Sequence, residues 1–233
     1  MAEILLVHGA WHGGWCWRHV ADALRGAGFR VVAPTLTGLG ERAHLLSAET
    51  GLAQHAADLL AVLDAEEMTD VTIVGHSYGA LPAALATAHP EISRYVSLDG
   101  VPVVEGQALT HGLPDEAVAA AEATLVDGLA LPAPDPATFD VPEGHPAHAW
   151  ARRRTTPMPW RSLIEPLPPL PARFASLPKA YVAAAANSMA GPAAGRAQAE
   201  GLGWQMVVIE SGHDLPLTAP GETAAAIARL ARG

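Results

Sequence analysis

The stretch VTIVGHSYGALPAALATA, residues 71–88, carries three signals in one place. Val71 to Val74 is a short apolar run of the kind a buried strand shows, and Ala80 to Ala88 has the composition of a helix. Between them Gly75-His76-Ser77-Tyr78-Gly79 fits G-x-S-x-G, in which the serine occupies a tight strand-to-helix turn with its hydroxyl exposed above a sheet. The bare five-residue pattern is weak, and its bland alternative is an ordinary turn serine. The strand before it and the helix after it make it specific.

Outward from this point the chain alternates. EILLVHG (3–9), FRVVAPTL (29–36), RYVSLDG (94–100), KAYVAAAA (179–186) and WQMVVIES (204–211) read as further strands. HVADALRGAG (19–28), GLAQHAADLLAVLDAEE (51–67) and GETAAAIARLARG (221–233) have helical spacing, while the stretch between the last two strands is Gly- and Ala-rich. Alternation of this kind predicts a mostly parallel sheet covered by helices, with the site at the carboxyl ends of the strands. The interval 102–178 breaks the rhythm: it is Pro-rich, has one good helical pattern at DEAVAAAEATLVDGL and shows no convincing strand. A structureless loop of that length is improbable in a compact domain. The expected organisation is therefore an α/β core from residues 1–101 and 179–233, with residues 102–178 as an inserted helical cap.

A serine at such a turn is a poor nucleophile at neutral pH and needs a base. The chain order nucleophile, acid, histidine places that base after the last strand, where VVIESGHDLPL supplies His213. Most of the other histidines, His55 and His148 among them, read as surface or packing residues. Acyl transfer also needs donors for a developing oxyanion. The backbone N–H of Tyr78, next to the nucleophile, is one; the N–H of Ala10, in the loop HGAWHGG after the first strand, is the other. Trp11 and His12 would line or support the pocket wall. Trp15 and Trp17 read equally well as aromatic packing of that loop onto the first helix.

Composition excludes several classes. The net charge of −10 argues against a nucleic-acid or anionic-membrane surface. Arg152 to Arg154 read as a solvated helix face. The single cysteine, Cys16, rules out an internal disulfide and any cysteine-based metal cluster. No apolar run is long enough to span a bilayer, and Glu3 stands where a signal peptide would be basic, so the expected location is the cytoplasm. Neither metal nor cofactor is expected; the partner is a small-molecule substrate, with a homodimer left open.

LLVHGAWHGGWCW, VVAPTLTGLGERAHLL, VGHSYGA, LDGVP, TPMPWRSLIEPL and GHDLPL, spread over nearly the whole chain, resemble the α/β-hydrolase superfamily. They are most similar to bacterial esterases related to plant methyl-ester esterases and hydroxynitrile lyases. The resemblance implies an eight-stranded sheet, a small helical cap, a Ser-His-acid triad and an oxyanion hole at Ala10 and Tyr78. The lyase branch has threonine after the first-loop histidine and lysine after the catalytic histidine. Gly9 and Asp214 stand there, which favours hydrolysis.

One departure is serious. The relatives' acid follows the strand matching KAYVAAAA, and their pattern lands on Asn187. Asparagine can orient an imidazole but cannot stabilise the imidazolium, and the equivalent change in a serine protease costs ~10⁴ in kcat. Asp99, one strand over, is an alternative acid position in the superfamily. It equally suits a structural role at the start of the DG turn, and the cap carboxylates Asp135 and Asp140 remain further candidates. Asp214 is a poor one, because adjacent side chains diverge. Two functions follow: a serine hydrolase of a small or medium apolar ester, with Trp150, Met158, Trp160 and Leu163 of the cap forming an apolar pocket, or a biosynthetic cyclase, lyase, proton-transfer catalyst or small-molecule binder with weakened hydrolysis.

Overall fold

The computed structural model describes residues 2–233. The main sheet is built from β1 (Glu3–Val7), β2 (Arg30–Val32), β3 (Val71–His76), β4 (Ile92–Leu98), β7 (Lys179–Ala184) and β8 (Gln205–Ile209). The remaining strands, β5 (Ala130–Leu131) and β6 (Met158–Pro159), form a separate antiparallel pair. The helices are α1 (Arg18–Gly26), α2 (Leu52–Ala65), α3 (Ala80–Ala86), α4 (Asp115–Glu122), α5 (His148–Arg154), α6 (Arg161–Ile164), α7 (Ala172–Ser176), α8 (Ala190–Gly201), α9 (Leu215–Thr218) and α10 (Pro220–Ala231).

The order across the main sheet is β2-β1-β3-β4-β7-β8, and every pairing in it is parallel. The chain enters at β1, runs outward to β2, then returns to β3 and proceeds the other way. The order therefore reverses between β1 and β3, which opens a crevice at their carboxyl ends. Both faces are buried along β1, β3 and most of β4 and β7, as a parallel sheet requires, while the edge strand β8 is partly exposed. Along β1 the side chains alternate: Leu5 and Val7 join the core beneath α2 and α3 with Leu52, Leu59 and Ala83. Ile4 and Leu6 join the opposite core beneath α1 and α10 with Val20, Leu24 and Ile227.

Three expectations change, and the stretch to which no element was assigned acquires one. The sheet has six strands, the six legible as apolar runs, and not the eight that the resemblance implied. The Gly- and Ala-rich stretch is the helix α8; Pro192 lies in its first turn, where a missing N–H leaves no bond unmade. In the 102–178 interval the expected long helix stops at Glu122, and α5, α6 and α7 follow it. The β5 and β6 pair also lies there, each strand two residues long and too short for any period to register.

Candidate active site

Ser77 is held at φ 54° directly after β3, a left-handed backbone that costs a non-glycine residue about 1–2 kcal/mol. The turn closes so tightly that a Cβ on Gly75 would lie 2.5 Å from the Gly79 carbonyl, and one on Gly79 would lie 2.6 Å from the His8 carbonyl. Only glycine fits either position, which is why the motif needs both.

His213 follows β8 and α9 begins two residues later. Its Nδ1–H donates to Asp99 Oδ2 at 2.7 Å. That bond fixes the tautomer, so Nε2 is free to accept from the Ser77 hydroxyl at 3.0 Å. Asp99 ends β4 at φ 42° and is 1% exposed. Its other oxygen accepts the Ala184 backbone N–H at 3.0 Å. The serine thus has a base within hydrogen-bond reach, and the base has a carboxylate partner.

Asn187 is elsewhere engaged: its side-chain oxygen accepts the Met189 N–H at 2.7 Å, a local turn before α8. Among the described residues it has no hydrogen bond to His213. Asp140 Oδ2 accepts the backbone N–H of His213 at 3.0 Å and its Oδ1 the Ser188 hydroxyl at 2.8 Å, so it holds the loop and not the ring. Asp135 pairs with His148 at 3.0 Å.

Three other histidines fix the backbone around this chain. His8 Nδ1–H donates to the Gly9 carbonyl at 2.8 Å while its Nε2 accepts the Leu36 N–H. In a trans peptide C=O and N–H point oppositely, so this bond also sets the direction of the Ala10 N–H. His76 Nε2–H donates to the His213 carbonyl at 3.0 Å. His55, read from sequence as a surface or packing residue, is fully buried; its Nε2–H donates to the Thr37 carbonyl at 2.9 Å and its Nδ1 accepts the Tyr78 hydroxyl at 2.6 Å. Burial depresses all three, to about 3 for His8 and His76 and about 4 for His55. They are neutral at physiological pH, and no charge from them competes at the site.

Ala10, Ser77 and Tyr78 share a cavity of about 450 Å³, within the usual range for small-molecule sites. Its apolar wall comes from Leu81, Val101, Leu109, Leu113, Met189 and Pro192, with Gln107 and His111 as polar members. On the His213 side the space shrinks to about 20 Å³ among Trp11, Phe139 and Met189. Trp11 borders both spaces, and His12 the small one. The other expected wall residues are displaced. Met158, Trp160 and Leu163 are buried in the core beneath α2 and α3, and Trp160 Nε1–H donates to Glu122. Trp150 packs edge-on against Trp15, 5.0 Å between ring centres, with Arg18 and Arg154 over its face. Large aromatic and apolar side chains anchor the 102–178 segment to the core, so the wall falls to its first stretch, 107–113, which has no sequence signature.

A parallel sheet with a serine elbow at its order reversal, and a histidine and carboxylate brought to it from two later strand ends, defines a class. Residues 4–226 match the alpha/beta hydrolase family, and the chain belongs to it. Over 99% of its length and the whole of the relative's, it is 37% identical to a carbendazim hydrolyzing esterase of Nocardioides sp. (strain SG-4G). It is 40% identical over 87 residues, 37% of this chain and 34% of the other, to Methylesterase 9 of Arabidopsis thaliana. Among solved structures an extracellular alpha/beta-hydrolase from a Paenibacillus species superposes with a TM-score of 0.84 at 22% identity, all of both chains being covered. That last likeness is one of fold.

Proposed function

We propose that the protein is a serine carboxylesterase whose triad is Ser77, His213 and Asp99. The observation that carries this reading is the unbroken chain from Ser77 Oγ through the His213 ring to Asp99, at 3.0 and 2.7 Å. As Ser77 Oγ bonds to the ester carbonyl carbon, its proton passes to His213 Nε2. The carbonyl oxygen becomes an oxyanion facing the N–H groups of Ala10 and Tyr78. The carbon–oxygen bond to the alcohol then breaks, and His213 returns the proton to the departing oxygen. Water repeats the two steps on the acyl-enzyme, releasing the acid. Asp99 holds the ring and stabilises its charged form.

The unequal spaces support an orientation for the substrate. The leaving alcohol lies beside His213 Nε2, on the side of the narrower space. The acyl part takes the apolar cavity of about 450 Å³. An ester of an apolar acid fits this arrangement, and the relatives named carbendazim hydrolyzing esterase and Methylesterase 9 support ester cleavage. The weakened-hydrolysis alternative drew on Asn187 at the relatives' acid position, and the Asp99 contact supports the hydrolytic reading over it.

The test is reaction with a fluorophosphonate probe followed by mass spectrometry. Ser77 is expected to carry the adduct in the native protein and not after unfolding; a native protein that stays unlabelled would overturn the reading.

A further inference from the structure

Between the Ala10 loop and the His213 loop lies a second histidine–carboxylate pair that the serine chemistry does not use. His12 is 3% exposed and Asp214 1%. His12 Nδ1 lies 2.7 Å from the Ala10 carbonyl oxygen and Nε2 lies 3.0 Å from Asp214 Oδ2. With Asp214 ionised, as its lowered pKa implies, both partners can only accept, and a neutral imidazole carries a single N–H. The two bonds together therefore require the imidazolium, paired with the carboxylate. The surroundings agree: burial works against both charges, yet their mutual attraction and hydrogen bond outweigh it, raising the His12 pKa and lowering that of Asp214.

The carbonyl that His12 holds begins a strained turn. Trp11 has φ 62°, and a bulky residue stays there only where its surroundings over-determine it. Three bonds do so. Thr156 N–H donates to the Trp11 carbonyl at 2.9 Å, and the Trp11 indole donates to the Leu131 carbonyl at 3.1 Å. Both of these come from the segment between β4 and β7. The His12 bond is the one made from within the core, and through Asp214 it reaches the residue next to His213.

We propose that His12 and Asp214 are a positioning pair: their ion pair locks the Ala10–Trp11 turn against the His213 loop, so that the Ala10 N–H and the histidine base keep a fixed relation as the oxyanion forms. The proposal rests on the esterase reading. Asp214 therefore has a role other than that of the triad acid.

The test replaces the pair in two ways. A buried ion pair exchanged for apolar residues of similar volume often leaves stability unchanged or raised, so His12→Leu/Asp214→Leu should fold. With the carbonyl clamp gone, its kcat on a p-nitrophenyl ester is expected to fall at least tenfold while KM stays within about threefold. In His12→Asn/Asp214→Leu the amide nitrogen stands near the place of Nδ1, and most of that loss should be recovered. A folded Leu/Leu protein with unchanged kcat, or equal losses in both variants, overturns the proposal. Nitrogen-15 NMR of the wild-type His12 ring is independent of activity and of the variants' folding: both ring nitrogens should be protonated at pH 7, and a neutral ring overturns the pair. Failure of the wild-type Ser77 to react with a fluorophosphonate would instead overturn the esterase reading.

Discussion

Asp99 accepts from both the His213 ring and the Ala184 backbone, so its carboxylate is oriented from two sides. Asparagine at this position must turn its amide nitrogen toward one of those donors. Asp99→Asn is therefore expected to lower kcat by ~10³–10⁴ with little change in KM, by analogy with the same exchange in a serine protease. Asn187→Ala removes one local bond to the Met189 N–H and should leave kcat within about threefold. Turnover of a p-nitrophenyl ester by the two variants decides between them, and the reverse pattern would move the acid to Asn187's side. The difference between these residues is not legible in either local sequence. Each follows a strand, and each begins a turn.

At the scale of elements, the segment between β4 and β7 divides into a part that anchors and a part that lines. Trp150, on α5, packs against Trp15 and two arginines and lines neither space beside Ser77. Trp150→Ala should leave KM unchanged within twofold and cost about 1–2 kcal/mol, less than a fully buried tryptophan because the residue is only partly buried. Leu109 faces the large cavity. Leu109→Trp should raise KM for long acyl chains several-fold and spare an acetyl ester, as a series of p-nitrophenyl esters would reveal. Equal effects across the series would mean that the acyl group lies elsewhere. The strands were legible because apolar runs bounded by glycine and charge are a local signal. The wall was not, because 107–113 has neither helical nor alternating period, and the conspicuous aromatics that suggested a pocket serve instead to dock this segment on the core.

The whole molecule carries an unusual titration. His8, His55 and His76 are held neutral by burial, at about 3, 4 and 3, whereas in the unfolded chain each binds a proton below about 6.5. Unfolding thus takes up about three protons at pH 5, and stability falls as pH drops below 6.5. At 1.36 kcal/mol per pKa unit the loss between pH 7 and pH 5 is roughly 5–6 kcal/mol, comparable with the whole stability of many domains. His12 has the opposite sign: its raised pKa adds stability that is fully present below 6.5 and lost as pH rises through the folded value. Thermal melts at pH 5, 6, 7 and 8 should show the midpoint collapsing toward pH 5. A flat profile would show that these rings take up protons in the folded state.

The residues themselves determined the alternation of strand and helix, the strained serine between Gly75 and Gly79, and the position of His213 after the last strand. These are properties of neighbours along the chain: apolar period, the need for glycine in a tight turn, and the order of elements. Tertiary structure decided which carboxylate meets His213, because His213 and Asp99 are 114 positions apart and meet only where β4 lies between β3 and β7. It likewise brought His12 and Asp214, 202 positions apart, into a buried contact. Sheet order is set by the packing of the whole core, and no local pattern records it.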